Sequence, residues 1–232
     1  MIEDDWLTFW DSPHFIYVNA RHKDAHYRLI ATQIAALVPR ADARVLDYGC
    51  GEAQYANMVA DAAGELLLCE GAPSVRAELQ KKFAANPKIR VLAPHEVAGL
   101  PERCLDLVVL HSVLQYLTAA GAGALFALFH RALKPDGLLV VGDVIEPQTA
   151  AVTDATALLH FARANGFLLA AIWGLVRTLL SDYWRLRSHL GLTRYTHDAI
   201  IEKLSGAGFV AQSAPANLGH NQKRRTYYAR PR

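Results

Sequence analysis

From residue 43 onward the chain alternates short, almost wholly apolar runs with segments of helical length. This alternation constrains the fold more than any other feature. Residues 44–47, 65–69, 89–92, 105–110 and 138–143 read as strands, and residues 52–63, 74–84 and 119–133 as helices. The strands are leucine- and valine-rich throughout rather than alternating, as strands buried on both faces must be. Strands separated by helices imply a parallel sheet with helices on both sides, a doubly wound α/β fold. With 52% apolar residues and 20% charged in 232, there is enough apolar surface for one large core in a single domain.

Two stretches depart from the alternation. Residues 145–196 separate the fifth strand from the next helix, 197–207, whereas loops in α/β units run about 2–6 residues. This is a helical insertion after the fifth strand, with helix-like runs at 153–164 and 166–190. The end of the chain, 209–212 and 226–229 around a segment holding Asn217, Gly219 and Asn221, reads as an antiparallel strand pair. Lys223, Arg224 and Arg225 read as the solvated end of that hairpin.

The densest chemical signal is Val45-Leu-Asp-Tyr-Gly-Cys-Gly51. Gly49 and Gly51 lie between a strand and a helix, where the chain turns sharply and a ligand can approach the backbone. A dinucleotide fingerprint would add a third glycine, but Gln54 stands there, which counts against a nicotinamide oxidoreductase. Asp47 would repel a pyrophosphate and suits a ligand with an amino group and no phosphate, such as S-adenosylmethionine. Glu70 ends the second strand, where a carboxylate can accept hydrogen bonds from ribose hydroxyls.

Residues 45–51 resemble the first motif of the class I S-adenosylmethionine-dependent methyltransferases. The resemblance continues through Glu70, through Leu105–Val109 with His111-Ser-Val-Leu114, and through Leu133-Lys-Pro-Asp-Gly137. It implies a Rossmann-like, seven-stranded, mostly parallel sheet whose last strand is antiparallel. It further implies that Asp47, Gly49 and Gly51 hold the methionine moiety of S-adenosylmethionine, Glu70 the ribose, and that Gly71 and Ala72 lie near the adenine. Glu96, or His95 in a shifted register, would touch the adenine amine, and His111 would lie over the sulfonium. The domain then divides into N-terminal lid helices (1–40), a cofactor-binding core (41–144), a helical cap (145–196) and a last helix with the terminal strand pair (197–232).

The expected function is methyl transfer to a small apolar or aromatic acceptor, the alternative being a non-catalytic adenosyl-binding module with an interaction surface on the insertion. Candidates for acid–base work near the pocket mouth are His111, Tyr116 and Asp143. Tyr17, Asn19 and Tyr27 are candidate cofactor contacts whose other reading is packing. His22 and His26, spaced i, i+4, are compatible with a metal pair, but no third ligand stands nearby and no metal is expected. The second run of the insertion carries Phe167, Ile172, Trp173, Val176, Tyr183 and Trp184. Its apolar first half must be buried by the domain, a partner copy or a lipid surface.

A net charge of +2 without a concentrated basic face argues against nucleic acid. The N-terminal Met-Ile-Glu-Asp-Asp-Trp is acidic where a signal peptide would be basic, and Arg177 interrupts the longest apolar run. With Cys50, Cys69 and Cys104 far apart and read as buried thiols, the expectation is a cytoplasmic protein.

Overall fold

The structure is a computed structural model that describes residues 2–12, 17–149, 151–179 and 191–232. Among these the core elements run β1 (Arg44–Tyr48), α3 (Ala56–Ala62), β2 (Glu65–Cys69), α4 (Pro73–Phe83), β3 (Ile89–Leu92), α5 (Pro94–Ala98), β4 (Leu105–His111), α6 (Ala119–Ala132) and β5 (Leu133–Val144). Two helices precede them, α1 (Ile2–Trp10) and α2 (Ala20–Ala35). After them come α7 (Ala151–Ala164), α8 (Leu168–Leu179), α9 (His197–Gly206), β6 (Phe209–Ser213) and β7 (Arg225–Pro231).

The seven described strands form one sheet in the order β3-β2-β1-β4-β5-β7-β6. β1 to β5 pair in parallel, and β7 runs antiparallel to both β5 and β6. The strand order reverses beside β1, and open α/β sheets bind ligands at the carboxyl edge of such a reversal. Successive residues of β1 feed opposite faces. Val45 joins a core with Ile34, Val59 and Leu79 from α2, α3 and α4, and Leu46 joins one with Phe126, Phe129 and Leu204 from α6 and α9. Both faces are therefore covered, as the unbroken apolar strands require.

Two sequence readings need correction. The fifth strand does not begin at residue 138: Leu133 to Gly137 already belong to β5, with Leu133 pairing to Leu105 across a register shift. The helix after the glycine loop starts at Ala56 rather than at residue 52, because Ala53 holds φ +39° and the chain is still turning there. The first half of the second insertion run is covered by the domain on one side only. Phe167 and Ala171 pack on Val18 and Ala25, but Leu169, Ile172, Trp173 and Val176 are exposed. The rest of that run, 180–190 with Tyr183 and Trp184, lies outside the described residues.

Among the described residues no helix is long and apolar enough to cross a membrane. Cys50 and Cys69 are buried and all three cysteines are free.

Candidate active site

A cavity of about 300 Å³ opens at the carboxyl edge of β1, β2 and β4, at the lower end of the size of small-molecule sites. Asp47, the Gly49–Gly51 loop, Glu70, Gly71, His111 and Tyr116 all line it, so the topology gathers the sequence candidates from three strand ends. Asp143, Glu96 and Asn19 are not among its lining residues.

The loop's shape comes from its backbone. Gly49 and Gly51 sit at φ +77° and +58°, a region costly for any residue with a Cβ. A Cβ on Gly49 would fall 2.3 Å from Val113 Cγ2, and one on Gly51 would fall 2.7 Å from Tyr27 Oη. The glycines therefore serve the packing of the loop on its own chain as well as the approach of a ligand. The Gly49 and Cys50 amides donate to the Cys69 carbonyl, fastening the loop to the end of β2.

Glu70 completes this fastening. Its carboxylate accepts from the Gly51 amide (2.9 Å) and the Ala72 amide (2.8 Å). Each oxygen keeps a lone pair for a further donor. Burial raises the Glu70 carboxyl, with the two amides pulling the other way. Burial, and then the charge of Glu70, push Asp47 up to about 7. A cavity with two acids this close and this dry calls for a positively charged or hydrogen-bond-donating occupant. Among the described residues no lysine or arginine lines it, which disfavours phosphates.

The N-terminal segment roofs the cavity. Trp6 is buried, with its ring 4.6 Å from that of Tyr116, and Trp10 is 5.5 Å from the same ring. Asp11 accepts from the Ser74 amide at the start of α4, 2.7 Å. α1 thus reaches from the β4 side of the cavity to the β2 side. Tyr17 and Tyr27 form the next part of the wall, with rings 5.7 Å apart. Tyr27 Oη also accepts from the Glu52 amide (3.0 Å), and burial pushes Tyr17 up to about 12. Sequence reasoning did not single out Trp6 as part of this wall. An apolar i, i+4 pair with Trp10, leading into the aromatic stretch after it, is the available signal.

Several candidates take other places. Glu96, the expected adenine contact, is exposed, and its carboxylate accepts from the Ala93 amide (2.7 Å), capping α5; it does not line the cavity, whereas Pro94 does. His95 is exposed as well. Asn19 caps α2 through the His22 amide, 2.8 Å. Asp143 lies behind the wall: it accepts from Ser112 Oγ (2.5 Å) and forms an ion pair with Arg224 (2.6 Å). Burial works against its charge, but Arg224, His111 and Ser112 together hold it below the usual carboxylate range. Arg224 itself is not a solvated hairpin end; it lies between Asp143 and Asp154 and is largely buried.

The described part of the insertion lies to one side of the cavity, and residues 180–190, the rest of the expected cap, lie outside the described residues. None of the described residues of 145–196 lines the cavity. α7 and α8 instead pack on α2 through Phe161 and Phe167, which lie against His220 and His22. His26 and His111 do face the cavity, with ring centres 6.4 Å apart. Burial lowers both, His26 to about 3, so both rings are neutral at physiological pH. Among the described residues no group of three or more histidine, cysteine, aspartate or glutamate side chains is arranged to hold a metal ion.

Comparison with known proteins bears on the fold and the domain. Residues 46–141 match the family model described as "Methyltransferase domain". No curated protein matches the chain. Solved structures do. A Leishmania major protein described as a SAM-dependent methyltransferase superposes with TM-score 0.59 at 14% identity, over 99% of this chain and 82% of that one. YcgJ from Bacillus subtilis gives 0.56 at 15% identity over 81% and 70%. A Haemonchus contortus phosphoethanolamine N-methyltransferase, solved with phosphoethanolamine and S-adenosylhomocysteine, gives 0.53 at 22% over 64% and 34%. At these identities the structures speak for the fold.

Proposed function

Because the chain belongs to the class I S-adenosylmethionine-dependent methyltransferase superfamily, through the domain matched over residues 46–141, we propose that it methylates a small, apolar or aromatic acceptor. S-adenosylmethionine is the cofactor. The observation that carries the acceptor class is the wall of the cavity. Beyond the acids at its floor it is built from Trp6, Trp10, Tyr17, Tyr27, Tyr116 and neutral imidazoles.

The residues divide the work. Asp47 would pair with the ammonium of the methionine moiety, and the loop backbone from Gly49 to Gly51 would lie along it. Glu70, fixed by two amides, would receive the ribose hydroxyls. Gly71, Ala72 and Pro94 would flank the adenine. When bound, the cofactor supplies an electrophilic methyl group on a positively charged sulfur. The chain's part is then to hold an acceptor atom in line with that methyl and to exclude water, a task for the aromatic roof. Tyr116, packed between Trp6 and Trp10, belongs to that roof. The exposed apolar face of α8 would be this enzyme's surface for a second copy or a membrane.

The test is transfer of radiolabelled methyl from S-adenosylmethionine to a panel of matched acceptors. Cresols, indoles and N-heteroaromatics should be methylated, and their carboxylated or phosphorylated counterparts should react at least tenfold more slowly. Preference for the anionic members would contradict the acceptor class.

A further inference from the structure

Behind His111 lies a chain of polar contacts that the cofactor reading leaves unused. The His111 ring lies over Gly142, its register partner on β5, where a Cβ would fall 2.9 Å from Nδ1. His111 Nε2 is 3.3 Å from Ser112 Oγ, and that hydroxyl donates its one proton to Asp143. Nε2 must therefore be the donor in the histidine–serine contact. In the neutral ring Nδ1 is then bare, and Nδ1 is buried with no hydrogen-bond partner. Ser112 and Asp143 hold φ +55° and +66° where they make this contact, a backbone conformation unfavourable for a non-glycine residue.

Asp143 alone would undo this arrangement. A buried carboxylate so near an imidazole favours the imidazolium. What opposes it is Arg224, whose guanidinium reaches Asp143 Oδ2 at 2.6 Å and spans to Asp154 Oδ2 on α7 at 3.1 Å. Among the described residues, the other titratable groups facing His111 are His26 on α2 and His220 on the segment between β6 and β7, both imidazoles whose basicity burial lowers.

We propose that Arg224 is a positioning residue of the active site: by holding Asp143 in an ion pair it keeps His111 uncharged in the cavity that receives a cationic cofactor. This rests on the reading that the cavity binds S-adenosylmethionine. Its consequence is selective, because the sulfonium of S-adenosylmethionine carries a charge that the thioether of S-adenosylhomocysteine lacks. An imidazolium at residue 111 would weaken the first ligand and spare the second.

Calorimetry with both ligands at pH 6.5 and 8.5, together with nitrogen NMR of the histidine rings, tests the proposal. In the wild type the ratio of the two affinities should be the same at both pH values, and the His111 ring should not titrate between them. In Arg224→Gln the relative affinity for S-adenosylmethionine should fall roughly tenfold at pH 6.5, return at pH 8.5, and follow a new His111 titration. Arg224→Gln/Asp143→Asn should restore the pH-independent ratio. Equal losses for both ligands, a ratio indifferent to pH, or a double variant that does not revert would overturn the proposal. If Arg224→Gln does not fold, a wild-type His111 that titrates between pH 6.5 and 8.5 still overturns it, and one that stays neutral, with a pH-independent ratio in the double variant, supports it. A wild type that binds neither ligand would overturn the cofactor reading and this proposal with it.

Discussion

Replacing Gly49 by valine should lower the melting temperature on the order of 10 °C. The new Cβ would lie 2.3 Å from Val113 Cγ2, and the residue would be held at φ +77°. Overpacking costs roughly 1–3 kcal/mol and the left-handed backbone about 1–2 more. In a chain of this length each kcal/mol is about 2–4 °C. The variant is consequently a lesion in the fold first and in ligand binding second. The two causes separate by a second change. Gly49→Ala/Val113→Ala should recover the part due to the clash, seen as a higher melting temperature than Gly49→Ala alone, while the backbone part persists. A Gly49→Val protein as stable as the wild type would show that the loop does not pack as described.

Glu70→Ala should weaken S-adenosylhomocysteine binding at least about tenfold, since a hydrogen bond to a charged group is worth about 1.5–3 kcal/mol. It should also lower stability, because the amides of Gly51 and Ala72 lose the carboxylate they share. The ribose contribution is isolated with a 2′,3′-dideoxy analogue. Wild type should bind the analogue more weakly than the parent ligand, and Glu70→Ala should bind the two alike. A variant that still discriminates would move the ribose contact elsewhere.

How much of this was legible in the chain depended on the range of the interactions. β2 and β3 have the bounds read from their leucine and valine runs, because a strand buried on both faces declares itself locally. Asp47, the two glycines and Glu70 were legible because strand ends in a parallel sheet converge on one edge. β5 was cut short because Pro135 and Gly137 look like a turn, whereas their pairing with β4 is set by a register shift visible only in the sheet. Glu96 sits at the expected distance along the chain, but its carboxylate caps its own helix. Arg224 was misread because its partners, Asp143 and Asp154, are far away in sequence and nothing in Lys223-Arg-Arg225 distinguishes the middle residue. The insertion is expected over the cavity from its position after β5; its described helices lie on α2, its residues 180–190 fall outside the described part, and the N-terminal helix lines the roof.

Asp47 offers the most direct measurement of the central claim, that the cavity holds the amino acid end of S-adenosylmethionine against this carboxylate. Burial and Glu70 leave Asp47 with a pKa of about 7, so at pH 6 it is mostly protonated, while a free α-amino group is fully charged. Pairing with the ammonium must ionise Asp47. Calorimetry of S-adenosylhomocysteine binding at pH 6, in buffers of differing ionisation enthalpy, should therefore report the release of about one proton. Affinity should rise as the pH is brought from 6 towards 7.5, and Asp47→Asn should abolish both effects. Binding without proton release in the wild type, or release that survives in Asp47→Asn, would contradict the assignment.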